Sequence, residues 1–196
     1  MTIALREKLG LTLDQACDKA WHLAVETNPF PAVMGRVCPH PCEGHCNRKD
    51  KDGAVGINSI ERFIGDYGIA HGLHHEMLPG EGPKEERVAV IGAGPSGLAC
   101  AFQLARRGYK VTVFESLPAA GGMLRYGIPE YRLPKELLDK EISWITGQGV
   151  TVKTNTALGK DFSIADLKKQ GFDAIYLAFG AQKAKSMRLP DEETIE

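Results

Sequence analysis

The chain has no apolar run near the roughly 18 residues needed to cross a bilayer. Its 196 residues carry a formal net charge of only −1. A balance so close to zero leaves no electrostatic footprint for nucleic acid or for an anionic membrane surface. The opening residues, MTIALREKLG, lack the apolar stretch and the small-residue cleavage site of a secretory signal. Together these absences predict a cytoplasmic protein with no nucleic-acid or membrane partner, in a compartment where thiols stay reduced. Five cysteines, an odd number, exclude a fully paired disulfide framework. No Cys-x-x-Cys pair occurs, so a dithiol redox mechanism finds no support. Internal repeats and low-complexity tracts are absent as well.

Two segments stand out against that background. Between Cys38 and Cys46 the chain reads CPHPCEGHC, and some fifty residues later VIGAGPSGLACAFQLARRG. Thiolates so grouped suit an iron–sulfur cluster, and a glycine cradle suits the diphosphate of a dinucleotide. The pairing suggests redox chemistry between a cluster and a flavin.

Periodicity organises the rest. Residues Thr12 to Thr27 read as a helix with Thr12 as N-cap and Leu13, Cys17, Ala20, Leu23 and Ala24 on one face. The run Asn28-Pro29-Phe30-Pro31 ends it. Residues Val33 to Asp52 show no apolar period and call for another organiser, such as a metal centre. A second helix is expected over Asn58 to Gly68, with Ile60, Phe63, Ile64 and Tyr67 inward. Gly72 to Glu86 reads as a linker. Then come strand Arg87–Gly92, helix Ser96–Arg107 and strand Lys110–Glu115, a βαβ unit on a parallel sheet. Helix Pro134–Gln148, strand Val150–Thr154, helix Ile164–Gln170 and a buried strand Ala174–Phe179 follow. The fold class is α/β: a small helical domain over 1–78, a linker over 79–86 and a partial Rossmann-like lobe over 87–196.

Gly92, Gly94 and Gly97, with Ala93, Pro95 and Ser96 between them, make G-x-G-x-x-G at a strand-to-helix junction. The first glycine allows the tight turn, the second lets backbone approach the diphosphate, and the third lets helix and strand pack closely. The helix N-terminus favours the negative charge. Glu115 ends the second strand, where a carboxylate binds ribose hydroxyls and disfavours a 2′-phosphate. Cys100, inside the following helix, reads as a small packing thiol.

Cys38, Cys42 and Cys46 recur every four residues, with Pro39, Pro41 and Gly44 between them. The prolines argue against a regular helix and for a loop wrapped round a cluster. Zinc and three buried thiols in an irregular turn stay open. His40 and His45 are candidate ligands, with His40 read as a surface residue.

The stretches NPFPAVMGRVCPHPCEGHCNR, GINSIERF, VAVIGAGPSGLACAFQLARRGYKVTVFES, GGMLRYGIPEYRLPK and FDAIYLAFGA resemble the NADPH-dependent small subunit of glutamate synthase. The amino-terminal half of dihydropyrimidine dehydrogenase is built on the same plan. The resemblance implies a helical [4Fe-4S] domain, an FAD lobe and an NADPH lobe inserted into it. It implies Cys38, Cys42, Cys46 and Glu61 as cluster ligands, and Val37 against the flavin. Gly92, Ala93, Gly94, Pro95, Ser96 and Gly97 would hold the diphosphate, Glu115 the ribose, and Gly121 and Gly122 a second close backbone approach. Arg132 would reach the flavin or its phosphates, and Leu158 would lie near the adenine. Gly180 would mark the strand end that returns towards FAD.

The chain also departs from that pattern. The family has four further cysteines ahead of the first helix, and Met34 stands where many relatives carry cysteine. No second G-x-G-x-x-G/A appears before RLPDEETIE. The sequence therefore reads as the front of a longer enzyme, inactive alone. The expected function is an oxidoreductase module passing electrons between NAD(P)H and [4Fe-4S] clusters through FAD. Its expected partner is a larger reductase or synthase subunit, or an NADPH lobe on a separate segment. The alternative is a non-catalytic or split subunit that docks on a larger reductase and binds FAD weakly. A zinc-binding Rossmann protein is a third reading.

Overall fold

Local chemistry starts the first helix. In the computed structural model, which describes residues 3–74 and 77–181, the Thr12 hydroxyl accepts from the Gln15 N–H at 3.2 Å. The Gln15 side chain accepts from the Thr12 N–H at 3.0 Å, which closes a capping box. Helix α1 (Leu13–Val25) buries Ala16, Cys17, Trp21 and Val25. The expected stripe is therefore rotated: Leu13 is 55% and Leu23 51% exposed. The Trp21 indole sets the orientation, because it has the largest apolar area to bury. It packs edge-on to Trp144, 5.6 Å between ring centres, and seats against Gly68, where a Cβ would overlap the indole.

The proline-rich segment is more ordered than its composition suggests. It breaks into α2 (Pro31–Val37), α3 (Pro41–Gly44) and α4 (Lys49–Asp52). Pro31 and Pro41 open their helices, at the position where a missing N–H costs nothing. Helix α5 (Ile57–Ala70) then crosses α2 at backbone contact distance. A Cβ on Gly65 would come within 2.5 Å of the Ala32 Cα, and one on Gly35 within 2.5 Å of the Arg62 Cβ. That small-residue face takes the inward position, with Ile64 beside it. Ile60 and Phe63, expected inward, fall on the opposite side at 53% and 54% exposure.

The remaining chain forms β1 (Arg87–Ile91), α6 (Pro95–Ala105), β2 (Lys110–Phe114), α7 (Met123–Tyr126), α8 (Lys135–Thr146), β3 (Thr151–Lys153), α9 (Ile164–Lys169) and β4 (Ala174–Leu177). The strands pair in parallel in the order β3-β2-β1-β4. The expected α/β class, helical segment followed by a parallel Rossmann-like sheet, is what forms. Strand β4 is the exception on burial. Among the described residues it lies at the sheet edge, paired with β1 alone, and Tyr176 and Leu177 are exposed. The residues RLPDEETIE lie outside the described part of the chain.

One apolar core joins the helical segment to the sheet. Phe30 and Val33 share it with Val90, Leu98, Phe102, Val113, Leu133, Leu138 and Ile145. A smaller cluster on the other face of the sheet holds Ala89, Ile91, Phe114, Leu167 and Phe172. The linker is pinned rather than loose: Leu78 N–H donates to Arg106 O and Lys84 N–H to Gly108 O, both at 2.8 Å. Among the described residues no helix is long and apolar enough to cross a membrane.

Candidate dinucleotide cradle and cysteine segment

Strand β1 delivers its end to the cradle. Gly92 turns the chain at φ +106°, a value that L side chains rarely adopt. Its N–H donates to Phe114 O at 2.7 Å. Gly97, in the first turn of α6, lies so close to Gly92 that a Cβ would overlap the Gly92 carbonyl oxygen. These are the contacts expected of a glycine-rich turn that packs helix onto strand.

Gly94 behaves differently. A Cβ there would have only the Gly122 Cα near it, at 3.8 Å. Gly121 and Gly122 come alongside, with the Gly121 N–H donating to Ala93 O at 2.8 Å. Among the described residues the N–H groups of Gly94, Ser96 and Gly97 take no partner. They sit at the N-terminus of an 11-residue helix, where unpaired N–H groups and the helix dipole favour an anion. A cavity of about 520 Å³ opens in front of them at the carboxyl ends of β1, β2 and β4. Gly92, Gly94, Ser96, Glu115, Gly122 and Leu158 help line it.

Glu115 does more than face a ribose. It is buried, and one carboxylate oxygen accepts from the Ala93 N–H at 2.7 Å. The other accepts from Leu117 N–H at 2.9 Å and from the Ser116 hydroxyl at 3.2 Å. Three donors fill three of the roughly four lone-pair sites of a carboxylate. Glu115 is also among the residues that line the cavity. Glu115 thus braces the cradle from the next strand, a role that its sequence position alone does not reveal.

The other expected residues fall elsewhere. Val37 ends α2 and packs half-buried against the main core. Arg132 does not line the cradle cavity. It lines a separate groove of about 360 Å³ with Arg36, Cys38, Asn58, Arg62 and Tyr131. Arg36 on α2 and Arg62 on α5 lie on either side of the cysteine run in the sequence, and no local pattern signals that they meet. Arg36 is held by Asp66 in a bidentate pair at 2.8 and 3.0 Å.

The thiols are all free. Cys38 follows α2, and its sulfur accepts from the His40 N–H at 3.4 Å. Cys42 sits exposed in the single turn α3. The Val55 backbone N–H, with those of Arg48 and Lys49, holds the Cys46 thiol below its ordinary pKa. N–H groups aimed at sulfur suit a thiolate ligand. His45 Nδ1 lies 3.0 Å from Pro41 O, and His40 Nδ1 lies 3.3 Å from Glu43. Glu61 accepts from Asn28 Nδ2 at 2.6 Å. Among the described residues no three His, Cys, Asp or Glu side chains gather into a metal site. The donor chemistry fits an iron–sulfur centre, while the described residues do not assemble its ligand set. The cradle fits a dinucleotide on both counts. Cys100 packs half-buried against the core, and burial pushes its thiol pKa up, as suits a packing residue.

Comparison with known proteins accords with these two regions. A family described as dihydroprymidine dehydrogenase domain II, 4Fe-4S cluster, matches residues 2–73. An NAD(P)-binding Rossmann-like domain matches residues 90–153. The chain is 44% identical over 178 residues to the NADPH-Fe(3+) oxidoreductase subunit beta of Geobacter sulfurreducens, covering 90% of this chain and 26% of that one. It is 42% identical to the glutamate synthase [NADPH] small chain of Bacillus subtilis, covering 89% of this chain and 36% of that one. It thus spans about a quarter to a third of the length of these relatives. Among solved structures, a point mutant of FprA from Mycobacterium tuberculosis superposes with a TM-score of 0.50 at 22% identity, covering 56% of this chain and 26% of that one. That likeness concerns the fold.

Proposed function

We propose that the chain belongs to the family of the glutamate synthase small chain, whose bacterial members it matches over 36% and 37% of their length, and that it is the electron-transfer module of an NAD(P)H-dependent oxidoreductase. In this reading FAD occupies the cradle cavity and the cysteine segment contributes iron–sulfur ligands. The observation that carries it is the set of unpaired N–H groups at Gly94, Ser96 and Gly97, facing open space where Gly94 has no Cβ.

Each residue then has a task. The α6 N-terminus and its free N–H groups hold the diphosphate. Gly92, Gly121 and Gly122 keep backbone close to it, while Ala93 and Pro95 carry the turn into the helix. Glu115 offers its remaining lone-pair capacity to ribose hydroxyls, and its negative charge disfavours a 2′-phosphate, so the site suits FAD over NADPH. Leu158 covers the adenine side. Val37 belongs on the flavin side, while Arg132 lines the separate groove beside Cys38. Cys38, Cys42, Cys46 and Glu61 supply iron ligands, completed by donors from outside this segment. FAD held there would supply the exchange between a nicotinamide's hydride pair and single electrons. The chain's own residues bind and orient the cofactor, and no acid–base pair is needed. An NADPH-binding lobe or larger reductase subunit completes the assembly, and a cytoplasmic setting keeps the thiols reduced.

A second reading is a non-catalytic or split subunit that docks on a larger reductase and binds FAD weakly. The ungathered thiols favour it. One experiment separates the two. The purified chain, titrated with FAD, is expected to quench flavin fluorescence to saturation. Anaerobic reconstitution is expected to load iron and acid-labile sulfide when the donors missing here are added as a longer form of the chain. FAD without iron in that longer form selects the docking reading. No quenching up to about 1 mM FAD rejects the cradle assignment, and zinc without sulfide selects the zinc-binding Rossmann reading.

A further inference from the structure

Helix α2 begins without a local cap. Its N-cap residue, Phe30, has no side chain able to accept a hydrogen bond from the first turn. The acceptor comes from far away in the chain. Glu141 on α8 takes the Ala32 N–H on one oxygen at 2.7 Å and the Val33 N–H on the other at 3.0 Å. The sequence separations are 109 and 108 residues. Glu141 is 1% exposed, one of three buried polar or charged residues among those described.

We infer that Glu141 is a positioning residue, which locks α2 to α8 and so sets where the Val37–Cys38 end lies relative to the dinucleotide cradle. A neighbouring contact on α8 supports this. Leu138, one turn before Glu141, lies where a Cβ on Gly121 would come within 3.1 Å of its Cδ2. The same short helix thus abuts the Gly121–Gly122 loop and grips the start of α2. On its other flank α2 is clamped to α5 by the Arg36–Asp66 pair and the Gly35 and Gly65 contacts. Seven residues at about 1.5 Å rise make α2 a rigid rod of roughly 10 Å. Fixing its first turn therefore fixes its far end. The consequence for electron transfer rests on the function proposed above; the placement of α2 does not.

Glu141 is also an unusual group to use as a clamp. Burial pushes its carboxyl up to about 8, while the Ala32 and Val33 N–H groups and Arg36 pull it down and Asp66 on α5 pushes it up. With the folded value above the unfolded one, the stabilisation from the neutral form is full below the ordinary carboxylate range. It is lost as pH rises towards about 8. Glutamine cannot replace the carboxyl, because its NH₂ group would face one of the two N–H donors.

The test uses the full chain and two variants, Glu141→Gln and Ile145→Val. The second trims the same helix in the core and leaves the Glu141 carboxyl in place. In the wild type the Ala32 and Val33 amide NMR signals are expected to move together through one titration between about pH 4 and 9, and the Cys38 signal to follow. In Glu141→Gln that titration disappears, and amide exchange over residues 31–38 speeds up about tenfold more than in α6. Ile145→Val should keep the titration and show no such local excess. Equal exchange changes in the two variants overturn the inference. If Glu141→Gln does not fold, Glu141→Asp, whose shorter side chain withdraws the carboxyl from both N–H groups, takes its place in the same exchange comparison. FAD titration of the same samples reports on the cofactor reading separately, because neither substitution touches the cradle.

Discussion

Gly94→Ala is expected to leave the fold intact and to weaken FAD binding at least about tenfold, close to 1.4 kcal/mol. Gly94 has φ −78°, which alanine adopts freely. Its Cβ would meet no protein atom closer than the Gly122 Cα at 3.8 Å. The new methyl would stand in the space where unpaired N–H groups point, and a diphosphate would have to retreat from them. Gly97→Ala should behave otherwise. Its Cβ would overlap the Gly92 carbonyl oxygen and come within 3.2 Å of Val90 Cγ1. Backbone cannot rotate away as a side chain can, so α6 must lift off β1 at a cost of about 1–3 kcal/mol. Urea melts and flavin fluorescence titrations on the pair separate the two effects. Wild-type FAD affinity in Gly94→Ala would remove the cradle from the account of function.

The second large effect lies in the helical segment. Gly65→Ala should destabilise the chain by about 2 kcal/mol. Overpacking against α2 contributes about 3 kcal/mol, and the better helix propensity of alanine returns about 1 kcal/mol. A Cβ there would lie 2.5 Å from the Ala32 Cα and 2.7 Å from the Pro31 carbonyl carbon. All of the neighbouring atoms named are main chain, so no rotamer change relieves the overlap. Gly82→Ala is the control. Nothing lies within 4 Å of its Cβ, and its effect should stay within about 0.5 kcal/mol. The expected result is a lower urea midpoint for Gly65→Ala with the slope unchanged. Wild-type stability in that variant would mean that α2 and α5 do not cross at backbone contact.

Particular residues show what could be read early. The Thr12 cap, the strand from Arg87 and the helix after Gly94 follow from capping chemistry, β-branched runs and glycine spacing. All three act within a few residues. The faces of α1 and α5 did not follow. A periodic stripe says that a helix has an inward side, but Leu13, Leu23, Ile60 and Phe63 compete with alternatives nearly as apolar. Trp21 against Gly68, and Gly65 against Ala32 of α2, settled the matter only once the helices met. The proline segment misled in a similar way. Pro31 and Pro41 read as helix breakers but stand at helix starts.

By itself, the order of residues determined the first capped helix, the strands, the parallel α/β plan and the place of the dinucleotide turn, because absent Cβ atoms, caps and strand propensity are properties of short stretches. Only the tertiary structure decided that Glu115 braces the Ala93 N–H, that Arg132 joins Arg36 and Arg62 away from the cradle, and that Glu141 caps a helix 109 residues earlier. The physical reason is common to all three. A buried carboxylate or a cluster of guanidinium groups is defined by the partners that folding brings to it, and no local pattern names them.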